Sequence, residues 1–97
     1  MLHIINKSPY TKNSLESCIR TAQKDDAILL IEDAVLGCMS GGKAEAMIKE
    51  AQKAHAVYAL DADLKARGVD RVVDGVKQVD YAGFVGLVEQ HRTMTWL

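Results

Sequence analysis

The residues best suited to chemistry in this chain are two cysteines, Cys18 within "NSLESCIR" and Cys38 within "GCMSGG". A thiolate can attack the terminal sulfur of a persulfide, so a reactive cysteine can carry sulfur. Such a thiol needs a lowered pKa, which a helix N-terminus, a nearby cation or a metal can provide. Cys18 falls about five residues into a predicted helix, where the helix dipole has largely faded. Residue types alone therefore favour a structural role for Cys18. Cys38 lies beside the Ser40–Gly42 break, where we expect it to be better exposed, but nothing nearby in the sequence activates it.

Acidic residues follow two predicted strands and raise the question of a cation site. Glu32–Asp33 and Asp61–Asp63 lie where open α/β sheets bind ligands, beyond the carboxyl ends of the strands. Solvated loop carboxylates and a helix cap explain the same residues. His3, His55 and His91 lack metal-type spacing with either cysteine.

The stretch "GCMSGGKA" matches the first part of the phosphate-binding pattern G-x-x-x-x-G-K-[ST] through Gly37, Gly42 and Lys43. Ala44 stands where a hydroxyl would hold Mg²⁺, and Gly37 comes six residues after the preceding strand. A glycine break between helical segments is the simpler interpretation, and a stand-alone ligand-binding domain built around Gly42 is a remaining alternative.

These residues must be positioned by short elements that alternate between strand and helix. Predicted strands are "LHII" (2–5), "AILLI" (27–31), "AVYAL" (56–60) and a segment near 76–79, and "TMTWL" is a tail or a short edge strand. Helices are predicted from Asn13 with Glu16 completing a capping box, over 43–54, from a cap at Asp61 to Gly68, and from a cap at Asp80. Because parallel strands need crossovers, we expect an α/β fold with a small, mostly parallel sheet of four to five strands and helices on both faces.

Length, charge and hydropathy indicate which classes of protein are excluded. The 97 residues predict a single domain over 1–97. Twelve basic and 13 acidic residues give a net charge of −1, so we expect neither direct nucleic-acid binding nor binding to an anionic membrane. The longest apolar run is far below the ~20 residues of a membrane span, and no secretory signal is recognisable, which predicts a cytoplasmic protein.

Several segments together resemble one family. "LHIINKSP", "ILLIEDAV", "VYALDADLKARG", "VDYAGFVGLVE" and the terminal "WL" occur in the order and spacing of the DsrH/TusB proteins. The resemblance spans essentially the whole chain. It implies a small subunit of a sulfur-relay complex, in a heterohexamer with DsrE/TusD-like and DsrF/TusC-like subunits and with a DsrC/TusE-like sulfur acceptor. The principal sulfur-carrying cysteine would belong to the E- or D-type subunit, and no cofactor is implied.

The resemblance also gives Cys18 a meaning. DsrH-type members carry a cysteine at the matching position in a similar "NSLESC" context, which favours a DsrEFH-type complex of sulfur oxidation. The alternative is a TusB-type subunit of the relay that leads to 2-thiolation of the tRNA wobble uridine. Cys18 is therefore the candidate site residue, an auxiliary sulfur carrier in a subunit that otherwise supports assembly, whereas Cys38 matches no functional position of the family.

Overall fold

The computed structural model describes residues 1–97 and contains one five-stranded sheet in the order β4-β3-β2-β1-β5. The strands are Leu2–Ile5 (β1), Ala27–Leu30 (β2), Val57–Leu60 (β3), Lys77–Val79 (β4) and Thr93–Trp96 (β5). The helices are Ser14–Thr21 (α1), Glu45–Gln52 (α2), Asp61–Ala66 (α3) and Tyr81–Gln90 (α4), with a 3₁₀ helix over Glu32–Cys38. All neighbouring strands are parallel, which confirms the predicted α/β class.

The last segment of the chain is an edge strand. β5 pairs with β1, so that Leu2 lies opposite Thr93 and Ile5 opposite Trp96. The other edge is β4, which lies within the predicted range 76–79. The first strand thus lies inside the sheet, between β2 and β5.

Successive side chains of the strands point to opposite faces of the sheet, which creates two cores of unequal size. Ile28 and Leu30 point to one face of β2, and Ala27 and Leu29 point to the other. The first face carries 15 buried residues, contributed by the strands, by α1 to α3, by the 3₁₀ helix and by the connection between α3 and β4. The second carries five buried residues, and α4 is the only helix that contributes to it. The helices therefore lie on both faces, as expected, but unevenly.

Two of the predicted helix caps are wrong and one is confirmed. Asn13 has φ −99° and ψ 19° rather than the extended backbone of a capping residue, and no side chain caps α1, so the predicted capping box with Glu16 does not form. β3 runs directly into α3, which places Leu60 at the cap position and Asp61 inside the first turn. Asp80 does cap α4, because its Oδ1 accepts the N–H of Gly83 at 2.8 Å.

None of the helices is both long and apolar enough to span a bilayer.

Candidate functional site

Cys18 lies inside the larger core. It follows Leu15 by one helical turn on the inner side of α1, and both side chains are essentially inaccessible to solvent. Burial, together with a smaller effect of the nearby negative charge of Asp26, raises the pKa of the Cys18 thiol to about 12. The thiol is therefore protonated at neutral pH.

This environment defines what Cys18 can do chemically. The thiolate is the nucleophile in sulfur transfer, and a pKa about five units above neutral leaves roughly one thiol in 10⁵ ionised. A donor persulfide also needs access to Sγ, which the core does not give in this conformation. The carrier role of Cys18 stays a prediction, and it requires a movement of α1 that opens the core.

Cys38 has a similar environment at the end of the 3₁₀ helix. It is also fully buried, so the expected greater exposure beside the glycine break is wrong, and its Sγ–H donates to the carbonyl of Val35 at 3.1 Å. Burial raises its pKa to about 11. Cys38 therefore behaves as a small apolar core residue with one weak hydrogen bond.

The acidic residues at the carboxyl ends of β2 and β3 form a structural network. Arg67 Nε lies 2.9 Å from Asp33 Oδ1, and its Nη1 lies 3.5 Å from Asp63 Oδ1. Asp63 Oδ2 accepts the backbone N–H of Glu32 at 2.7 Å, which holds Glu32 at a positive φ of 51°. No group of three or more His, Cys, Asp or Glu side chains is arranged to hold a metal ion. Arg67 thus pairs with Asp33 and Asp63, Lys65 Nζ lies 3.5 Å from Asp61 Oδ2, and the Asp63 carboxylate fixes the start of the 3₁₀ helix.

In the glycine-rich loop before α2, backbone N–H groups form hydrogen bonds to nearby residues of the same segment. The N–H of Gly41 donates to Glu45 Oε1 at 3.0 Å, and the N–H of Gly42 donates to the carbonyl of Met39 at 3.0 Å. A phosphate-binding loop leaves such amides free for the ligand. Gly41 has φ 82°, so glycine serves the turn itself. The loop is best explained as a closed connection between helical segments.

A polar network at the opposite end of the sheet was missed by sequence reasoning. His3 is 5% exposed, and its Nε2 lies 2.9 Å from Asp26 Oδ2. Trp96 donates its indole N–H to His3 Nδ1 at 3.1 Å. The other oxygen of Asp26 accepts from the Met1 ammonium at 3.1 Å, and the Asp26 carbonyl lies 2.8 Å from His55 Nδ1. The only sequence signal was a histidine in an otherwise apolar strand.

The outer side of α4 carries an apolar stripe. Tyr81, Val85 and Val88 follow one another at i, i+4 and i+7 and are 62%, 54% and 39% exposed. Phe84 and Leu87 cover the other side of the helix and pack on the sheet. A helix that is apolar all round is normally buried on every side. The outer stripe of α4 is therefore the strongest candidate contact surface for another subunit.

Comparison with known proteins is consistent along the whole chain. A protein-family model described as "DsrH like protein" matches residues 7–94. Among curated proteins, "Protein TusB" from Pectobacterium parmentieri is 31% identical and that from Photorhabdus laumondii 35% identical, each over 99% of this chain and 100% of the relative.

Solved structures share the fold at lower sequence identity. The ychN protein from E. coli superimposes with a TM-score of 0.79 at 20% identity, over 98% of this chain and 97% of that chain. A protein of unknown function from Methanobacterium thermoautotrophicum gives 0.73 at 16% identity, over 97% and 95%. These two similarities concern the architecture alone.

Proposed function

The chain belongs to the DsrH/TusB family, and on that premise we propose that it is a TusB-type subunit of a cytoplasmic sulfur-relay complex. The complex would pass persulfide sulfur towards 2-thiolation of the tRNA wobble uridine. The observation that carries this proposal is the full-length match to relatives named TusB at 31–35% identity. Its partners would be TusC-like and TusD-like subunits, with a TusE-like protein as the next sulfur acceptor.

Within that complex the chain would act mainly through assembly. Both thiols are buried and have raised pKa values, and Asp33 and Asp63 at the strand ends pair with Arg67. In contrast, the outer stripe of α4 presents three apolar side chains to solvent. Burial of such a stripe against a partner contributes about 25 cal/mol for each Å² of apolar surface removed from water. We expect α4 to be part of the contact with a related subunit.

The second candidate function is the sulfur-oxidation relay of DsrEFH type. Cys18 favours it, because the "NSLESC" context matches DsrH-type members. The relatives named TusB favour the tRNA branch instead, contrary to the initial preference from the sequence. Complementation separates the two: expression in a bacterium that lacks TusB should restore 2-thiouridine in tRNA if the TusB-type assignment is right. A chain that assembles with the host subunits and leaves the tRNA unthiolated would favour the oxidation branch.

Co-purification tests the assembly role. Val85→Asp places a charge in the middle of the outer stripe of α4, and we expect it to reduce recovery of the two partner subunits at least tenfold. Gln90→Asp is the matched control, since Gln90 is an exposed polar residue of the same helix. Equal recovery of partners with both variants would contradict the role of α4.

The carrier role of Cys18 has its own test. Cys18→Ser should leave the complex assembled, and mass spectrometry then compares the persulfide load of this subunit before and after the change. A carrier role predicts loss of the added sulfur in the variant. An unchanged load would assign any persulfide to another site.

A further inference from the structure

The contacts of His3 fix both its charge and its tautomer. The indole nitrogen of Trp96 can only donate a hydrogen bond, so Nδ1 of His3 must accept and carries no proton. The single ring proton then lies on Nε2, which donates to Asp26 Oδ2 at 2.9 Å. The closed arrangement therefore requires a neutral imidazole.

We propose that His3, Asp26 and Trp96 form a proton-sensitive clasp that holds the carboxyl end of β5 and releases it when His3 takes up a proton. Protonation places a second N–H on the ring, facing the indole N–H across 3.1 Å. Two donors cannot share that contact, so the indole turns away. The contact with Asp26 strengthens at the same time, because it becomes a hydrogen bond between opposite charges. Protonation of His3 thus breaks its contact with Trp96 and strengthens its contact with Asp26.

Several charged and titratable groups from neighbouring elements face the clasp. Asp26, which directly precedes β2, has its pKa lowered to about 2, chiefly by the hydrogen bond from His3, and stays ionised. From α1, burial raises the pKa of Cys18 to about 12, so it stays neutral. The Met1 ammonium contacts Asp26, and His55 contacts only the Asp26 carbonyl. β5 brings no titratable side chain between Thr93 and Trp96.

The clasp controls an edge of the sheet and a cavity beside it. β5 has only β1 as a neighbour, and most of its side chains are exposed, so Trp96 is its main side-chain anchor to the core. A cavity of about 530 Å³ lies next to the clasp and is lined by Met94, Thr21 and Gln23 together with the clasp residues. Rotation of the indole would open this cavity and leave the end of β5 held by its backbone pairing with β1 and by the Ser14 hydroxyl, which donates to the Leu97 carbonyl at 3.2 Å.

Trp96 is the only tryptophan of the chain, so its exposure can be followed directly. We expect the acrylamide quenching constant of its fluorescence to rise at least twofold between pH 8 and pH 5, with unchanged helix content by circular dichroism. His3→Gln should abolish this rise, because a neutral amide can accept from the indole and donate to Asp26 at every pH. His55→Gln is the control and should preserve it. A constant value in the wild type, or the same rise in His3→Gln, would overturn the proposal.

A second variant tests the coupling from the other side. Trp96→Phe keeps an aromatic ring and removes the N–H that requires a neutral His3. The protonation midpoint of the His3 ring, followed by NMR of its carbon-bound protons, should then move to higher pH by at least 0.5 unit, about a threefold change in proton affinity. His55 serves as the internal reference. A midpoint that stays in place or moves to lower pH would show that the indole does not sense the charge of His3.

Discussion

The two faces of the sheet differ in how completely this chain covers them. One face is packed by α1, α2, α3 and the 3₁₀ helix and encloses 15 buried residues, including both thiols. The other is packed by α4 alone and encloses five. The same helix exposes Tyr81, Val85 and Val88 on its outer side.

The two faces of the sheet therefore differ in what they contribute to the protein. The well-covered face is packed by elements of this chain alone, and burial in that packing raises the pKa of both cysteines. The sparsely covered face depends on one helix whose apolar residues exceed what its own sheet can bury. We infer that the first face serves folding and that the second serves association.

Neighbouring leucines of β2 give the sharpest test of this comparison. Leu30 and Leu29 are both fully buried, but they point to the larger and the smaller core. We expect Leu30→Ala to lower the free energy of unfolding by about 3 to 4 kcal/mol and Leu29→Ala by about 2.5 kcal/mol, because a single helix can shift to fill the space. Urea unfolding of the two variants measures the difference. Equal losses would mean that α4 is held as firmly as the helices of the other face.

Alkaline pH tests the burial of the thiols. The pKa of Cys18 is about 12 in the folded chain against an ordinary value of 9.0, so the unfolded chain loses this proton first as pH rises. Stability is therefore present below pH 9 and decreases above it, by about 1.4 kcal/mol per pH unit for one such group. Cys18→Ala should reduce the slope between pH 9 and pH 10.5 by about 1 kcal/mol per unit, as measured by urea unfolding at several pH values.

The same variant has a small cost of its own. We expect Cys18→Ala to destabilise the chain by about 1 kcal/mol at pH 7, since only one sulfur atom is removed from the core. If its pH slope matches that of the wild type, Cys18 is more accessible than the structure indicates.

Acidic pH tests the contribution of the Asp26 carboxylate to stability. The pKa of Asp26 is lowered to about 2, so its carboxylate contributes stability above pH 4 that is lost as pH falls towards 2. With allowance for solvent screening, we expect a loss of about 1 kcal/mol between pH 4.5 and pH 2.5 that Asp26→Asn does not show. Urea midpoints at the two pH values measure it. An equal loss in both proteins would assign the acid sensitivity to other carboxylates.

Helix caps provide the smallest test, with one cap on each face. Asp80→Ala should cost about 1 kcal/mol, because Asp80 accepts the N–H of Gly83. Asn13→Ala should change stability by only a few tenths, since Asn13 makes no capping bond on α1. Thermal or urea unfolding of the pair compares them directly. A cost for Asn13→Ala as large as that for Asp80→Ala would restore the predicted cap.

The features that could be predicted from the sequence are those carried by local pattern. Alternation of apolar runs and helical spacing gave the α/β class, and the range 76–79 contains β4. The cap at Asp80 was predictable because an aspartate directly precedes the apolar helical segment, and the structure gives this aspartate the extended backbone of a cap. Asn13 looks similar in sequence, but the turn before α1 gives it a different backbone geometry.

Contacts between distant residues were not predictable in this way. His3 bonds to residues 23 and 93 positions away, so no local spacing indicates the clasp. The buried state of Cys18 was indicated by its place on the apolar side of the helix, whereas the upward shift of its pKa also depends on Asp26, which follows eight residues later outside α1. The uneven coverage of the sheet follows from the order of the strands, which periodicity does not contain.

The pairing of β5 with β1 has a consequence for biosynthesis. Leu2 meets Thr93 and Ile5 meets Trp96, so the interior strand β1 is synthesised well before β5, its second neighbour in the sheet. Before β5 pairs with it, the apolar strand "LHII" has an unpaired edge. Unpaired strand edges and exposed apolar segments promote aggregation of incompletely folded chains. Closure of the sheet thereby depends on the pairing of two strands that are far apart in the chain.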